Sequence, residues 1–345
     1  MVRVITYAAQ HLIAGFLVNK RYVRLTLLLM FLAGVALYAG KVDSYDIPNY
    51  MQAWNEYSFE GGYLALVGFV KLFTQDRVLG IHIIQGVLMA AFCILGLYYA
   101  GGRKNYLFAC IAMFASVAFT LGVNNGLRQG FSSIFLLLAL GCMLRGKWLP
   151  FAITLALSVL FHKSAVLFFA FSLGSYCIYC VFFRKRAFRN HATGKIISPW
   201  IAAFVLLGVA VIGLALMQAL FRFGIYSGYQ DRNTSVDYYR TSSFIKTLSL
   251  FATFIVSEYL LGKTVDHDTD FSFLRFLRMG LLFFVGALSF NPGYYELVAR
   301  ICYFYFAVEI VLVIVAWRLG KRLAPAFMLM SYALALNAIN ILAIG

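Results

Sequence analysis

The chain has 345 residues, 63% of them hydrophobic and 12% charged, with a mean hydropathy of +0.84. Water-soluble domains carry about 45–50% apolar and about 25% charged residues, so the composition excludes one and implies a polytopic membrane protein. The net charge of +16 would suit a nucleic-acid partner, but Lys and Arg fall in short clusters between apolar runs, the pattern that orients membrane spans.

Residues 3–18 are short for a span, and Arg3, Tyr7, Gln10 and His11 recur at helical spacing. That predicts an amphipathic helix lying in the interface. No small-residue cleavage site follows it, so a cleaved signal peptide is not expected. Lys20, Arg21 and Arg24 then precede a span at 23–40. The 41–60 loop is acidic and aromatic, with Asp43, Tyr45, Asp46, Tyr50, Trp54, Glu56, Tyr57 and Glu60. The run at 61–73 would be roughly 20 Å long as a helix and is interrupted by Lys71. It suits a re-entrant or interfacial helix better than a crossing. Further spans are expected at 79–100, 106–123, 126–144, 148–161, 164–183, 199–221, 244–262, 274–290, 297–317 and 323–344, about eleven in all. No linker, repeat or low-complexity tract divides them. The expected fold is all-α, a single polytopic membrane domain over residues 1–345.

If 61–73 does not cross, the basic loops Arg103-Lys104, Arg145/Lys147, Arg184-Lys185-Arg186, Lys263 and Arg318/Lys321/Arg322 all fall on the cytoplasmic side, as the positive-inside rule requires. The opposite face then collects the 41–60 loop, the turn Asn124-Asn125-Gly126-Leu127-Arg128-Gln129, His162-Lys163, the 222–243 loop and the turn from Pro292 to Arg300. An ionisable side chain at bilayer depth costs roughly 2.5–3.5 kcal/mol on the insertion scale. Those at the ends of these runs are therefore candidate functional groups.

Each has a plainer reading. Asn124 and Arg128 share a face if the helix begins early. An arginine there either snorkels to headgroups or lines a polar cavity, and the adjoining Asn125 and Gln129 favour the cavity. His162 is a packing residue or a base. Glu296 and Arg300, four apart, form a structural bridge or part of a site. The 222–243 loop holds Arg222, Arg232, Arg240, Asp231 and Asp237 among four tyrosines. Such composition suits sugar rings, but tyrosine is also ordinary at a membrane interface.

Other chemistries lack their residues. All six cysteines lie in apolar segments, and no further Cys or His completes Cys177-x-x-Cys180 as a metal or redox site. There is no phosphate-binding Gly-rich loop with a following Lys, and no HExxH. His267 with Asp266, Asp268 and Asp270 reads as a solvated turn. No metal site and no cofactor is expected.

The ordered set Asp43, Asp46 and Tyr50, then Glu60-Gly61-Gly62-Tyr63, Asn124-x-x-x-Arg128-Gln129, His162-Lys163-Ser164-Ala165, and Arg300 before Tyr303-Phe304 resembles the Wzy/EpsG-like family of O-antigen and exopolysaccharide polymerases. The family often has a Glu-Pro-Gly-Phe-like step at the second of these, and Gly62 stands here in place of proline. The resemblance implies a glycosyltransferase of the bacterial inner membrane that uses no nucleotide sugar. It would move a glycan from undecaprenyl diphosphate to a hydroxyl on a second lipid-linked repeat unit, at the periplasmic face. A flippase and a chain-length regulator of the same pathway would be its partners.

That chemistry assigns expected roles. Arginine forks stabilise a diphosphate leaving group without a metal. Arg128 and Arg300 come first, then Arg222, Arg232 and Arg240, with Lys163, Asn124 and Gln129 as further binding groups. A neutral imidazole is matched to an acceptor hydroxyl, which makes His162 the leading base and Asp46 and Glu60 the alternatives. Two competing functions are a lipid-linked glycan ligase, with the same leaving group and another acceptor, and a lipid-linked oligosaccharide flippase. A flippase should carry cations mid-span along a central cavity, whereas the polar groups here gather at one face.

The threading makes the 41–60 and 222–243 loops periplasmic and 184–198 cytoplasmic. An impermeant thiol reagent added from outside should label a cysteine introduced near Asp231 and spare one near Arg189. The reverse pattern would overturn the shared outer face.

Overall fold

Apolar runs in a bilayer can satisfy their own backbone groups by forming helices, and every regular element among the described residues is helical. The computed structural model describes residues 47–55, 59–124, 126–180, 208, 250–261, 268–289, 295–329 and 331. In chain order the helices are α1 (Ile47–Gln52), α2 (Gly61–Lys71), α3 (Arg77–Ala100), α4 (Tyr106–Ala115), α5 (Val117–Asn124), α6 (Leu127–Leu144), α7 (Trp148–Phe161) and α8 (Ala165–Tyr179). They continue with α9 (Leu250–Leu261), α10 (Thr269–Ser289) and α11 (Tyr295–Arg318). The expected N-terminal helix at 3–18, the span at 23–40, nearly all of 199–221 and most of 323–344 lie outside the described residues.

Four helical stretches among the described residues are long and apolar enough to cross a membrane: Arg77–Ala100, Leu127–Leu144, Thr269–Ser289 and Arg300–Arg318. They fall on the expected runs at 79–100, 126–144, 274–290 and 297–317. The runs at 61–73, 148–161, 164–183 and 244–262 form shorter apolar helices. At 11 residues, α2 is about 16 Å long and too short to cross.

The run expected as one span at 106–123 is two helices. Ser116 adopts an extended ψ of 147°. Its Oγ donates to Met113 O at 2.7 Å and accepts from Phe119 N–H at 3.1 Å. The serine thus closes α4 and caps α5. A second departure follows at the next turn. Asn124 ends α5 while Arg128 belongs to α6, so the two do not share one helix face.

The chain divides into two compact units, residues 1–166 with 310–345, and residues 167–309. In the first, α3 packs against α4, α5 and α6, and α2 packs against α3 and α7. Helices α6 and α7 form a hairpin whose turn is closed by a Schellman motif. Gly146 takes φ +68° and donates to Met143 O, while Lys147 N–H donates to Cys142 O. At the hairpin's core Ser158 Oγ donates to Ser132 O at 2.7 Å, and Phe131 stacks on Phe161 with centroids 4.8 Å apart. Small polar residues let helix backbones approach closely in an apolar medium.

The second unit holds a polar core that hydropathy conceals. Arg278 of α10 is 0% exposed and Glu309 of α11 is 1% exposed. Arg278 donates to Glu309 Oε1 at 2.6 Å, to Ser257 Oγ at 2.5 Å and to Glu258 Oε1 at 3.2 Å. Arg275 donates to the other oxygen of Glu258 at 2.5 Å, and Tyr305 Oη donates to Glu309 at 3.2 Å. Two guanidinium groups thus face two carboxylates from three helices. None of these residues stood out in the sequence as a site. Their signal was a charge within an apolar run, the rule that does mark such positions.

Removing one partner of a buried pair costs about 3–5 kcal/mol, whereas replacing both by apolar groups is often neutral. Glu309→Ala should therefore lower thermal stability in detergent sharply, and Arg278→Met with Glu309→Leu should recover most of the loss. A double variant no more stable than the single one would show that charge compensation is not what holds these helices.

Candidate functional site

Three sequence-distant segments of the first unit bring Glu60, Arg128 and His162 together. Glu60 is the N-cap of α2, with extended backbone (φ −64°, ψ 147°) and no side-chain bond to its own helix. Its carboxylate instead takes Arg128 Nη1 through Oε2, across 68 positions of chain. Its other oxygen, Oε1, lies 3.8 Å from His162 Nδ1. Arg128 is the second residue of α6, and its guanidinium lies over the rings of Phe59 at 4.1 Å and Tyr50 at 5.8 Å. Tyr63, from the first turn of α2, packs against both rings, with centroids 5.5 Å and 5.2 Å away.

The helix hairpin sets this geometry. Ser132 is one turn after Arg128 and Ser158 one turn before His162, so the serine contact that joins α6 to α7 also fixes the spacing of arginine and histidine. His162 ends α7 in an extended conformation (φ −158°, ψ 123°). Its Nδ1 accepts from Ser164 N–H at 3.2 Å and is 3.1 Å from Ser164 Oγ. A backbone donor on the Nδ1 lone pair assigns the proton of a neutral ring to Nε2.

Opposing effects act on Glu60. Burial raises its pKa, but the Arg128 charge, its own backbone N–H, the charge His162 carries when protonated and the hydrogen bond from Arg128 outweigh that, and the net direction is below the ordinary value of 4.5. The carboxylate is therefore ionised at neutral pH, as the partner of Arg128 must be.

The other expected residues divide clearly. Gln129 is buried beside Arg128 in α6. Lys163 is exposed in the turn after α7, and no hydrogen bond or ion pair among the described residues joins it to the cluster. Asn124 lies at the end of α5, its side chain outside what is described. Arg300 is half-buried on α11 within the second unit, and the side chain of Glu296, its expected bridge partner, is not among those described. Asp46, Arg222, Arg232 and Arg240 lie outside the described residues. Asp268 caps α10 by accepting from Phe271 N–H at 2.9 Å, while Asp266 and His267 are not described.

A model of the EpsG family matches residues 12–343. The chain belongs to the EpsG family. No curated protein and no solved structure matches it. The family match bears out the resemblance drawn from the ordered motifs, and the cluster contains three of them: the Glu60 step, Arg128-Gln129 and His162-Ser164.

One detail of that resemblance is corrected. The position open to proline in the Glu60 step is Gly61, not Gly62. Gly61 is the first residue of α2, where proline's missing N–H is tolerated, and a Cβ there would meet nothing within 4 Å. A Cβ at Gly62 would lie 2.9 Å from both the carbonyl carbon and oxygen of Leu160. Glycine at 62 lets α2 seat directly on the end of α7, and that seating carries Glu60 to His162.

Gly62→Ala should consequently lower stability by about 1–3 kcal/mol, the usual penalty of overpacking. Gly61→Ala should be neutral or stabilise by about 0.4–1 kcal/mol. Thermal unfolding of the two purified variants in detergent compares them directly, and equal melting would mean that α2 does not depend on this close approach.

Proposed function

We propose that this EpsG-family chain is a polysaccharide polymerase acting at the periplasmic face of the bacterial inner membrane. It transfers a glycan from a polyprenyl diphosphate to a hydroxyl of a second lipid-linked repeat unit. The observation that carries this reading is the arginine–carboxylate–histidine cluster at the head of a span-length helix. There a lipid-anchored diphosphate and a polar sugar would meet.

The residues divide the work as follows. Arg128 holds the donor diphosphate. Glu60 and the Tyr50 side chain engage only part of its five N–H donors, and the aromatic faces of Phe59 and Tyr50 orient the guanidinium plane. Glu60 accepts the proton of the acceptor hydroxyl as that oxygen bonds to the anomeric carbon. The bond from anomeric carbon to diphosphate oxygen breaks, its electron pair stays with the diphosphate, and Arg128 stabilises the charge that develops. His162 was the leading base on sequence grounds. With Ser164 N–H on Nδ1, it is better suited to donate from Nε2 and orient a sugar oxygen, while Nδ1 faces Glu60.

The pairing supplies its own control. The guanidinium charge that holds the Glu60 pKa down is also the charge that an incoming diphosphate neutralises. Donor binding therefore raises the proton affinity of Glu60 and makes it a stronger base when the substrate is in place.

The test uses purified protein and lipid-linked repeat units across a pH series. Arg128→Ala should lower kcat on the order of 10²–10³-fold, and Arg128→Lys should recover little, because a point charge does not reproduce a fork. Activity that needs ionised Glu60 is present above its pKa and lost as pH falls through it. The acid limb of kcat/KM, which reports the free enzyme, should therefore lie below pH 4.5, with that of kcat at higher pH. Glu60→Gln should remove the limb along with most of the activity. Normal turnover by Glu60→Gln would eliminate it as base. Failure of the wild type to lengthen lipid-linked repeats, with transfer only to a lipid A core acceptor, would convert the reading to a ligase.

A further inference from the structure

Tyr63 is a large side chain packed against the two aromatic rings of the cluster, and its hydroxyl is unused. It is 1% exposed, and its Oη has no hydrogen-bond partner among the described residues. A buried hydroxyl without a partner loses its hydration and gains nothing in return. Phenylalanine would pack the same ring without that penalty. The ring itself is well placed, meeting Phe59 edge-on at 88° and Tyr50 at 43°. These are the two rings that lie under the Arg128 guanidinium.

Arg128 contributes a second donor in the same condition. Its Nε is buried and has no hydrogen-bond partner among the described residues, although Nη1 is held by Glu60. The Tyr63 ring and the Arg128 guanidinium thus pack on one pair of aromatic rings, close enough for the Arg128 charge to act on the phenol, and each carries an unpartnered donor among the described residues. A group that only accepts hydrogen bonds complements such a pair, and a phosphate oxygen is of that kind. A sugar hydroxyl is a weaker fit, because it carries a donor of its own beside the guanidinium.

We propose that Tyr63 is a substrate-positioning residue whose hydroxyl donates to the diphosphate of the lipid-linked glycan, beside Arg128. This rests on the polymerase reading above and adds a neutral member to its anion site. The phenol remains a donor throughout the neutral range, because burial, with Tyr50 nearby, pushes its pKa up from the ordinary value despite the opposing charge of Arg128. No proton moves to or from Tyr63 in the reaction. Its bond holds the leaving group while the glycosidic oxygen departs with its electron pair.

The test is Tyr63→Phe, which removes one oxygen and leaves the ring. The full-length protein in detergent is titrated with farnesyl diphosphate and separately with inorganic pyrophosphate, alongside its melting temperature and donor kinetics. Loss of a hydrogen bond to a charged group should weaken farnesyl diphosphate binding and lower kcat/KM about ten- to hundredfold. Melting without ligand should hold or rise, since an unpartnered hydroxyl has been removed. Pyrophosphate binding reduced in parallel assigns the bond to the diphosphate itself. Wild-type affinity in Tyr63→Phe overturns the proposal and leaves the polymerase reading intact. A clear fall in its melting temperature also overturns it, by assigning the hydroxyl a structural partner. A wild-type protein that binds neither probe and makes no polymer overturns both readings.

Discussion

A guanidinium at the head of an apolar helix has to be compensated, and in this protein the compensation of Arg128 by Glu60 organises everything around it. The carboxylate comes from 68 positions earlier in the chain, from a residue that caps α2 in position but makes no side-chain bond to its own helix. That pairing depends on two close approaches made by α7. The serine contact seats α6 on one side of it, and Gly62 seats α2 against its last turn. Widening either approach would separate the charges and strand Arg128 in a low-dielectric setting.

The two arginine-centred clusters described above differ in exposure and in how many carboxylates meet the cation. Arg278 is fully buried and is met by carboxylates on two further helices and by a serine. Its bonds tie α9, α10 and α11 to one another, which is a structural role. Arg128 stays partly open, pairs with one carboxylate and lies over aromatic faces. A cation held in place but only partly paired is suited to receive an anion. The carboxylate that neutralises it can then take on chemistry once that anion arrives.

The helical class and the membrane character were legible in the sequence, because hydropathy over a long window reports on the solvent a segment prefers. The span-length helices at Arg77–Ala100 and Leu127–Leu144 fall where the runs of apolar residues put them. Arg128 and His162 were legible as candidates too, since charge at the end of an apolar run is costly and so invites a reason, and Glu60 was legible through the ordered motifs that carry the family resemblance. The break at Ser116 was not legible. A serine within an apolar run reads as a tolerated small residue until its hydroxyl is seen to cap the next helix. Nor could spacing reveal that Asn124 and Arg128, four apart, belong to different helices.

By itself, then, the sequence determined what kind of medium the chain occupies, that it answers with helices, and which few ionisable side chains needed an explanation. Hydropathy and local spacing carry that information because they concern one segment and its solvent. Only the tertiary structure decided which of those side chains meet. It put Glu60 on Arg128 and beside His162, enclosed them with Tyr50, Phe59 and Tyr63, and left Lys163 exposed. It also drew Arg278 and Glu309 into a pair that no local pattern announced. Such pairings depend on how closely two backbones pass, and a missing Cβ at Gly62 or a hydroxyl at Ser158 sets that distance between segments that lie far apart in the chain.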